Sequence, residues 1–322
     1  MSLASIAASQ CLPIKEFERQ YKDHLSGYHH WDQKEHADKW ILFAKNSGTH
    51  LSIDEVALTN GELYTIVTNK AAHGGKGAVV AIVEGIKTPA IIDVLARIPE
   101  EKRMAVNEVT LDMSNAMDAV VRSSFPAASI VTDRFHVQQL VSEALQEVRG
   151  ALRREALKEE TVAILKAKNK KKPYQPTLYE NGDTKKQLLA RSFHLLFKSS
   201  SKWTDRQTAR ATILFREFPQ IDEAYKLSMM FRVWYENKTD NKQAKERLSE
   251  WYQKVEEKKI ESFIVAAQSV HAHEDTILNY FNHRSTNASA ESFNAKLKGF
   301  RGLVRGVRDI KFFLFRVGKL YG

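Results

Sequence analysis

The chain divides into two stretches of different secondary structure, and this division most limits the folds open to it. Between residues 50 and 133, short β-type runs form a meander and then alternate with helices. From Val137 to about residue 283, the apolar positions follow helical spacing and almost no β pattern occurs. This order predicts an α/β protein: a mixed sheet with helices on both faces, followed by a large all-helical stretch.

The β-rich stretch predicts five strands. They fall at residues 50–58, 62–69, 77–85, 106–114 and 129–133. A hairpin signal separates the first two strands, and two helical patterns, at 88–103 and 115–125, flank the fourth. Three meandering strands followed by alternation give the order β-β-β-α-β-α-β.

Charge is concentrated at the end of the chain. The whole sequence carries 49 basic and 39 acidic residues, a net charge of +10. Residues 291–322 contain eight basic and two acidic residues, interleaved with Phe312, Phe313 and Phe315. Basic segments of this kind fit a polyanion, because each Lys or Arg on a phosphate releases counterions. We therefore expect nucleic acid as a partner. The shorter basic run at 166–172 is better explained as solvated surface.

Several classes of protein are disfavoured. No apolar run approaches the length needed to cross a bilayer, and the first residues lack the features of a signal peptide. The single cysteine, Cys11, excludes an internal disulfide and a cysteine-cluster zinc site. We expect a cytoplasmic protein without a membrane partner.

Three acidic residues lie where packing does not explain them. Asp54 interrupts the apolar alternation of the first strand, Asp112 closes the fourth, and Glu291 opens the helix NASAESFNAKLK. Neighbouring central strands would bring the two aspartates together, and a later helix could add the glutamate. Such a trio can hold two Mg²⁺ ions about 4 Å apart. Oxygen ligands without cysteine favour magnesium or manganese over zinc.

Each of these acids also has an ordinary explanation. Asp54 is consistent with an exposed edge strand, Asp112 with the N-cap of the following helix, and Glu291 with a solvated helix face. Taken singly, the ordinary and functional explanations have similar weight. Taken together, with this strand order and this charge, they favour an active site.

The motifs resemble a known family of enzymes. Four stretches carry the resemblance: LSIDEVAL at 51–58, VTLDMSNAM at 109–117, FPAASIVTDRFHV at 125–137 and NASAESFNAKLKGFRGLVRG at 287–306. They resemble the DDE transposases of bacterial insertion sequences, most closely the ISL group, which is distantly similar to Mutator-type transposases. The likeness spans roughly residues 48–320. It implies an RNase H-like fold, with a mixed five-stranded sheet and flanking helices, interrupted by a large all-helical insertion.

The resemblance also implies roles for particular residues. It makes Asp54 the first catalytic acid and Glu291 the last, with Asp112 as the second acid at the end of strand four. Mutator-like families carry a D-x-x-H or C-x-x-H signature after the fifth strand, and Asp133 and His136 match it. We expect Asp54, Asp112 and Glu291 to bind metal. Asp133 and His136 should support them from a second layer, although a core histidine remains an equal alternative for His136.

The implied function is DNA transposition. The chain would cleave DNA at the ends of an insertion sequence and join the freed 3′-hydroxyl to target DNA, using two Mg²⁺ or Mn²⁺ ions. DNA-phosphate contacts are expected from five basic residues of the tail: Lys296, Lys298, Arg301, Arg305 and Arg308. The last three lie at i, i+4 and i+7, on one helical face. A structure-selective nuclease on the same fold, or a domesticated relative that only binds DNA, are the alternatives.

The predicted organisation has four parts. A short N-terminal segment (1–48) precedes the first part of the RNase H-like core (49–136). A helical insertion (137–283) and the terminal helix with its basic tail (284–322) follow. Longer relatives place a zinc-binding element and a helix-turn-helix ahead of the core, whereas about 50 residues precede Asp54 here. We therefore expect a separate protein to recognise the element ends, and a homo-oligomer on DNA.

Overall fold

The computed structural model describes residues 3–58, 61–303 and 309–322. The chain is a mixed α/β protein with two compact units. The first unit comprises residues 1–133 and 283–322, and the second comprises residues 134–282. The second unit is thus a continuous segment inserted into the sequence of the first.

The first unit is built on one mixed sheet. Its strands are β1 (Trp40–Leu42), β2 (His50–Ala57), β3 (Leu63–Asn69), β4 (Val79–Glu84), β5 (Glu108–Leu111) and β6 (Ser129–Thr132). Their order across the sheet is β1-β4-β3-β2-β5-β6. The first four strands in this order pair antiparallel with one another, whereas β5 and β6 run parallel to β2. The mixed sheet predicted from the sequence is confirmed.

The sheet has six strands, whereas the sequence predicted five. The additional strand, β1, pairs antiparallel with β4 at the edge of the sheet and places Ile41 opposite Ile82. It has only three residues, too few to produce a recognisable alternation of apolar and polar positions. The aromatic and polar residues before it therefore concealed the strand. Its fully buried Ile41 shows that tertiary pairing, not local pattern, forms it.

Helices cover one face of the sheet. The first unit begins with α1 (Leu3–Ser9) and α2 (Ile14–Gln20), and continues between strands with α3 (Thr88–Leu95), α4 (Glu100–Met104) and α5 (Asn115–Ser124). Pro89 lies in the first turn of α3, where its missing N–H costs nothing. Apolar residues of α3 and α5 form a core with the side chains of β2 and β5 that point to this face, among them Leu51, Ile53, Val109 and Leu111.

The described residues of the second unit form helices and no β-strand. The helices are α6 (Arg134–Asn169), α7 (Lys185–Arg191), α8 (Phe193–Leu196), α9 (Asp205–Glu217), α10 (Pro219–Glu236), α11 (Asn241–Lys258), α12 (Glu261–Ala272), α13 (Glu274–Leu278) and α14 (Tyr280–His283). Capping boxes at Thr184 and Thr204 begin α7 and α9. Along the described ranges, no helix is both long enough and apolar enough to span a bilayer.

Aromatic residues form the centre of the second unit. Trp234 and Trp251 are buried, and their indole N–H groups donate to the carbonyl oxygens of Ala244 and Leu227, at 2.8 and 3.1 Å. The ring of Phe231 lies 4.7 Å from that of Trp251, between centroids. Each buried indole thus keeps a hydrogen-bond partner, as a stable aromatic core requires.

The chain returns to the first unit with α15 (Ala288–Leu303) and α16 (Ile310–Tyr321), which cover the second face of the sheet. Phe293 and Leu297 of α15 and Phe313 of α16 share a buried cluster with Val56 and Ile66. This core forms because α15 presents apolar residues at four-residue spacing while β2 and β3 present alternate side chains. The sheet is therefore enclosed on both faces.

The N-terminal segment packs on the last helix. The ring of Tyr28 makes edge contacts with Phe312 and Phe315, at centroid distances of 5.2 and 5.4 Å. Lys22 Nζ lies 2.7 Å from Asp309 Oδ2, and Asp309 also caps α16. The phenylalanines of the tail are thus core residues of the first unit.

Candidate functional site

Three aspartates occupy one row of the sheet. Ser52 pairs with Thr110 across β2 and β5, and Leu111 pairs with Thr132 across β5 and β6. Continued by one or two residues, the same register aligns Asp54, Asp112 and Asp133. The backbone N–H of Asp133 donates to the carbonyl of Leu111 at 2.8 Å, which extends the β5–β6 pairing to this row. Side chains aligned across a sheet point to the same face.

Two of these aspartates lie within metal-binding distance of a histidine. The ligand atoms of Asp112, Asp133 and His136 all lie within 4.8 Å of one another. His136 follows Asp133 by three residues, in the first turn of α6. Among the described residues, this is the one group of three acidic, histidine or cysteine side chains with such spacing. Two carboxylates and an imidazole form a donor set that suits a divalent cation.

Asp112 is not a helix cap. The side chain of Ser114 accepts a hydrogen bond from the backbone N–H of Met117 at 3.4 Å and fills the N-cap position of α5. The ordinary explanation offered for Asp112 in the sequence therefore fails. Burial and then the Asp112 carboxylate raise the pKa of nearby Glu55 above its ordinary value.

The Asp54 side chain is hydrogen-bonded to a residue of α15. Asn294 donates from Nδ2 to Asp54 Oδ2 at 2.6 Å, and the backbone N–H of Glu55 donates to Asp54 Oδ1 at 2.8 Å. Asp54 is half-buried in β2, opposite Ile66 of β3. It is not in the group of Asp112, Asp133 and His136 defined by the 4.8 Å spacing.

Asp133 is tied to the start of the same helix. It is 2 % exposed, and its Oδ1 accepts a hydrogen bond from the backbone N–H of Asn287 at 3.1 Å. Asn287 immediately precedes α15, and its carbonyl accepts from the N–H of Glu291 at 3.0 Å. A carboxylate at this position is stabilised by the unsatisfied N–H groups and the positive end of the helix dipole.

Glu291 lies on α15 between these two contacts. Its side chain is exposed, whereas the neighbouring Ala290 and Phe293 are buried. It is absent from the three-residue group defined by the 4.8 Å spacing. Asn287, Glu291 and Asn294 are spaced i, i+4 and i+7, so they share one edge of the helix.

A largely buried lysine lies beside the acidic row and was not anticipated from the sequence. Lys70, just after β3, has its Nζ 3.1 Å from Glu108 Oε1 and also donates to Thr110 Oγ1. Burial lowers the pKa of Lys70, while Glu108 and then Asp133 oppose that shift. Glu108 and Thr110 are buried residues of β5 that precede Asp112 on the same face. The lysine thus adds positive charge beneath the carboxylates.

The predicted phosphate-contacting residues have different surroundings. Lys296 and Lys298 are exposed, although Lys296 Nζ donates to the carbonyl of Gly74 at 3.1 Å. Arg301 is 5 % exposed, and its guanidinium bonds both oxygens of Glu62, at 2.7 and 3.1 Å. Its guanidinium carbon lies 5.0 Å from the centroid of the Phe313 ring. Arg305 and Arg308 lie outside the described residues.

Sequence reasoning overlooked Asn287, Asn294 and Lys70. The two asparagines frame Glu291 in NASAESFN, and their spacing on one helical edge was a usable signal. Lys70 offered no such signal, because a lysine at the end of a strand is usually solvated. Only the packing of the turn after β3 against β5 reveals its contacts.

Comparison with known proteins places the chain in a family. No curated protein and no solved structure is significantly similar to it. The sequence does match a family described as transposase over residues 51–317, most of the chain. The matched range contains every described member of the acidic row, together with α15. The chain therefore belongs to the ISL3 group of insertion-sequence transposases.

Proposed function

We propose that this chain is the catalytic transposase of its element and that its acidic row performs the chemistry. It cleaves DNA at the element ends and transfers the freed 3′-hydroxyl to target DNA by two-metal phosphoryl transfer. The observation that carries this proposal is the alignment of Asp54, Asp112 and Asp133 on three adjacent strands, with α15 tied to both outer members.

The sheet supports an RNase H-like core. An antiparallel meander of three strands, β2 to β4, is followed by β5 and β6, which run parallel to β2. The second unit enters the sequence directly after β6. We propose residues 49–136 and 284–322 as the two parts of this core, 137–283 as the helical insertion, and 1–48 as an N-terminal segment.

Helix geometry supports Glu291 as the third acid. From Asn287 to Asn294, an α-helix rises roughly 10.5 Å. Two strand spacings, from β6 to β2, amount to about 9.6 Å. This match fits a helix that crosses the strands nearly at right angles, with Asn287 beside Asp133 and Asn294, near the middle of α15, beside Asp54. Glu291, about 6 Å along the helix, falls near the middle strand, which carries Asp112.

The residues present fit divalent metal ions. We propose Asp54, Asp112 and Glu291 as the ligands, with Asp133 and His136 holding the Asp112 side of the row. Carboxylate oxygens suit Mg²⁺ or Mn²⁺, and the nearby imidazole makes Mn²⁺ a good probe. When bound, two such ions supply charge stabilisation for the attacking and leaving oxygens of an in-line displacement.

The chain itself supplies a rigid arrangement of charge. Asp54 and Asp112 are fixed by adjacent parallel strands, so their carboxylates need little reorganisation during the reaction. The N–H of Asn287 holds Asp133, and Lys70 lies beneath the row as a buried cation. Glu291 is exposed, which supports an approach of DNA from its side of the row.

DNA is the partner implied by the family, and the tail supports a contact surface. Lys296 and Lys298 are exposed on α15, the helix that carries Glu291. We propose that they and the basic residues 305 and 308 contact phosphates, whereas buried Arg301 anchors α15. We also propose a homo-oligomer on DNA. We further propose that a separate protein takes part in recognising the element ends.

A strand-transfer assay tests the function. Purified chain is incubated with Mg²⁺, labelled pre-cleaved element ends and a target plasmid. A transposase joins the 3′-hydroxyl to the target, a nuclease cuts without joining, and a DNA-binding relative does neither. Asp112→Asn should abolish joining while DNA binding persists. Wild-type chain that cuts branched DNA but never joins ends would contradict the proposal.

A further inference from the structure

We propose that Asn294 is a positioning residue of the active site: it holds the Asp54 carboxylate in its metal-binding orientation and, with the Asn287–Asp133 contact, fixes Glu291 over the acidic row. This inference rests on the proposed function, because Asp54 and Glu291 are taken as metal ligands.

The first support is the contact itself. Asn294 Nδ2 lies 2.6 Å from Asp54 Oδ2, and the N–H of Glu55 occupies the other carboxylate oxygen at 2.8 Å. Hydrogen bonds on both oxygens prevent the carboxylate from rotating. Partners of this kind orient metal ligands, and their removal typically lowers metal affinity or activity by 10- to 100-fold.

The second support is the buried amide. Asn294 is 7 % exposed, and within the described ranges its Oδ1 has no hydrogen-bond partner. A buried acceptor without a protein partner is costly. Beside a metal-binding carboxylate, it suits a donor that arrives with the metal, such as a coordinated water. Asn294 would then contact both the Asp54 carboxylate and the hydration shell of the metal.

The third support is the pair of tethers. Asp133 receives the backbone N–H of Asn287, and Asp54 receives the side chain of Asn294, so α15 is tied to both outer strands of the acidic row. A purely structural helix would gain more from alanine or leucine at position 294, because asparagine has low helix propensity and needs a polar partner when buried. The asparagine is explained by what it positions.

The test compares metal binding in variants without DNA. Asn294→Leu keeps the number and branching of the side-chain heavy atoms but removes the donor, and Ser292→Ala, at an exposed position on the same helix, is the matched control. Mn²⁺ binding is measured by calorimetry. Hydrogen–deuterium exchange of the α15 peptide is measured in metal-free protein. We expect Asn294→Leu to weaken Mn²⁺ binding at least tenfold and to speed α15 exchange, whereas Ser292→Ala changes neither.

A double-mutant cycle shows whether Asn294 acts through Asp54. In an Asp54→Ala background, Asn294→Leu should cause little further loss of Mn²⁺ affinity, because the group it positions is gone. Equal losses in both backgrounds, or unchanged affinity and exchange in Asn294→Leu alone, would overturn the proposal. Wild-type chain that binds no Mn²⁺ would overturn both this role and the proposed metal chemistry. If the wild-type chain binds Mn²⁺ and Asn294→Leu shows the same Mn²⁺ affinity and the same α15 exchange, only the positioning role is overturned.

Discussion

Replacing Lys70 with methionine should strongly destabilise the first unit. Lys70 and Glu108 form an ion pair at 3.1 Å whose side chains are only 14 % and 3 % exposed. Lys70→Met keeps the aliphatic stem but removes the charge that compensates Glu108. The carboxylate is then left buried without its partner, since Glu108 is 2 % exposed and its strand, β5, lies between β2 and β6.

The expected magnitude follows from burial. Removing one partner of a buried ion pair costs about 3–5 kcal/mol, against about 0–1 kcal/mol for an exposed pair. A protein domain has only about 5–15 kcal/mol of stability in total. The double variant Lys70→Met/Glu108→Met should recover most of the loss, because an apolar pair of similar volume leaves no buried charge. Thr110 would lose one hydrogen bond, a cost of about 1 kcal/mol.

Urea unfolding followed by circular dichroism measures these changes, with hydrogen exchange of β5 peptides to assign the transition to the first unit. Lys254→Met is the matched control, since Lys254 pairs with Glu257 and both are about half exposed (52 % and 55 %). A loss below about 1 kcal/mol in Lys70→Met, similar to the control, would refute the argument that Glu108 depends on Lys70 for compensation.

Three further predictions concern the proposed active site, a buried phenol and the tail. Asp112→Asn should abolish cleavage and joining with DNA binding nearly intact, while Asp133→Asn should retain partial activity. Mn²⁺ retained in crystals of Asp112→Asn but lost from Asp133→Asn would reverse this assignment. Burial, and then Glu62, raise the pKa of Tyr64 to about 12. Because the unfolded phenol ionises near pH 10, the stability from Tyr64 is full below that pH and is lost as pH rises through about 12, which absorbance titration and alkaline unfolding would show. Lys298→Ala should reduce the slope of the salt dependence of DNA binding by about one unit. Arg301→Ala should mainly lower stability, because the Arg301 side chain is 5 % exposed and pairs with Glu62 of the same chain. A reduced salt slope in Arg301→Ala alone would contradict that distinction.

Part of the site was predictable because its members end regular elements. Asp112 and Asp133 follow apolar strand patterns, and Asp54 interrupts one, so their residue types stood out against their surroundings. The burial of Arg301 was not predictable. The sequence does not state which neighbour a residue of this helix meets, and Glu62 lies far away along the chain.

The sequence by itself determined the periodic features of this protein. Apolar patterns indicated five of the six strands, and four short motifs indicated the family. Helical spacing indicated the longer helices, although the single pattern predicted at 88–103 forms two helices, α3 and α4. Tertiary structure alone decided which residues meet. The three-residue strand β1 exists only because β4 offers an edge to pair with. The acidic row depends on the register of β2, β5 and β6, and Lys70 becomes a buried cation only where the turn after β3 packs against β5. Local propensity acts over a few residues, whereas register and burial depend on contacts between residues distant in the chain.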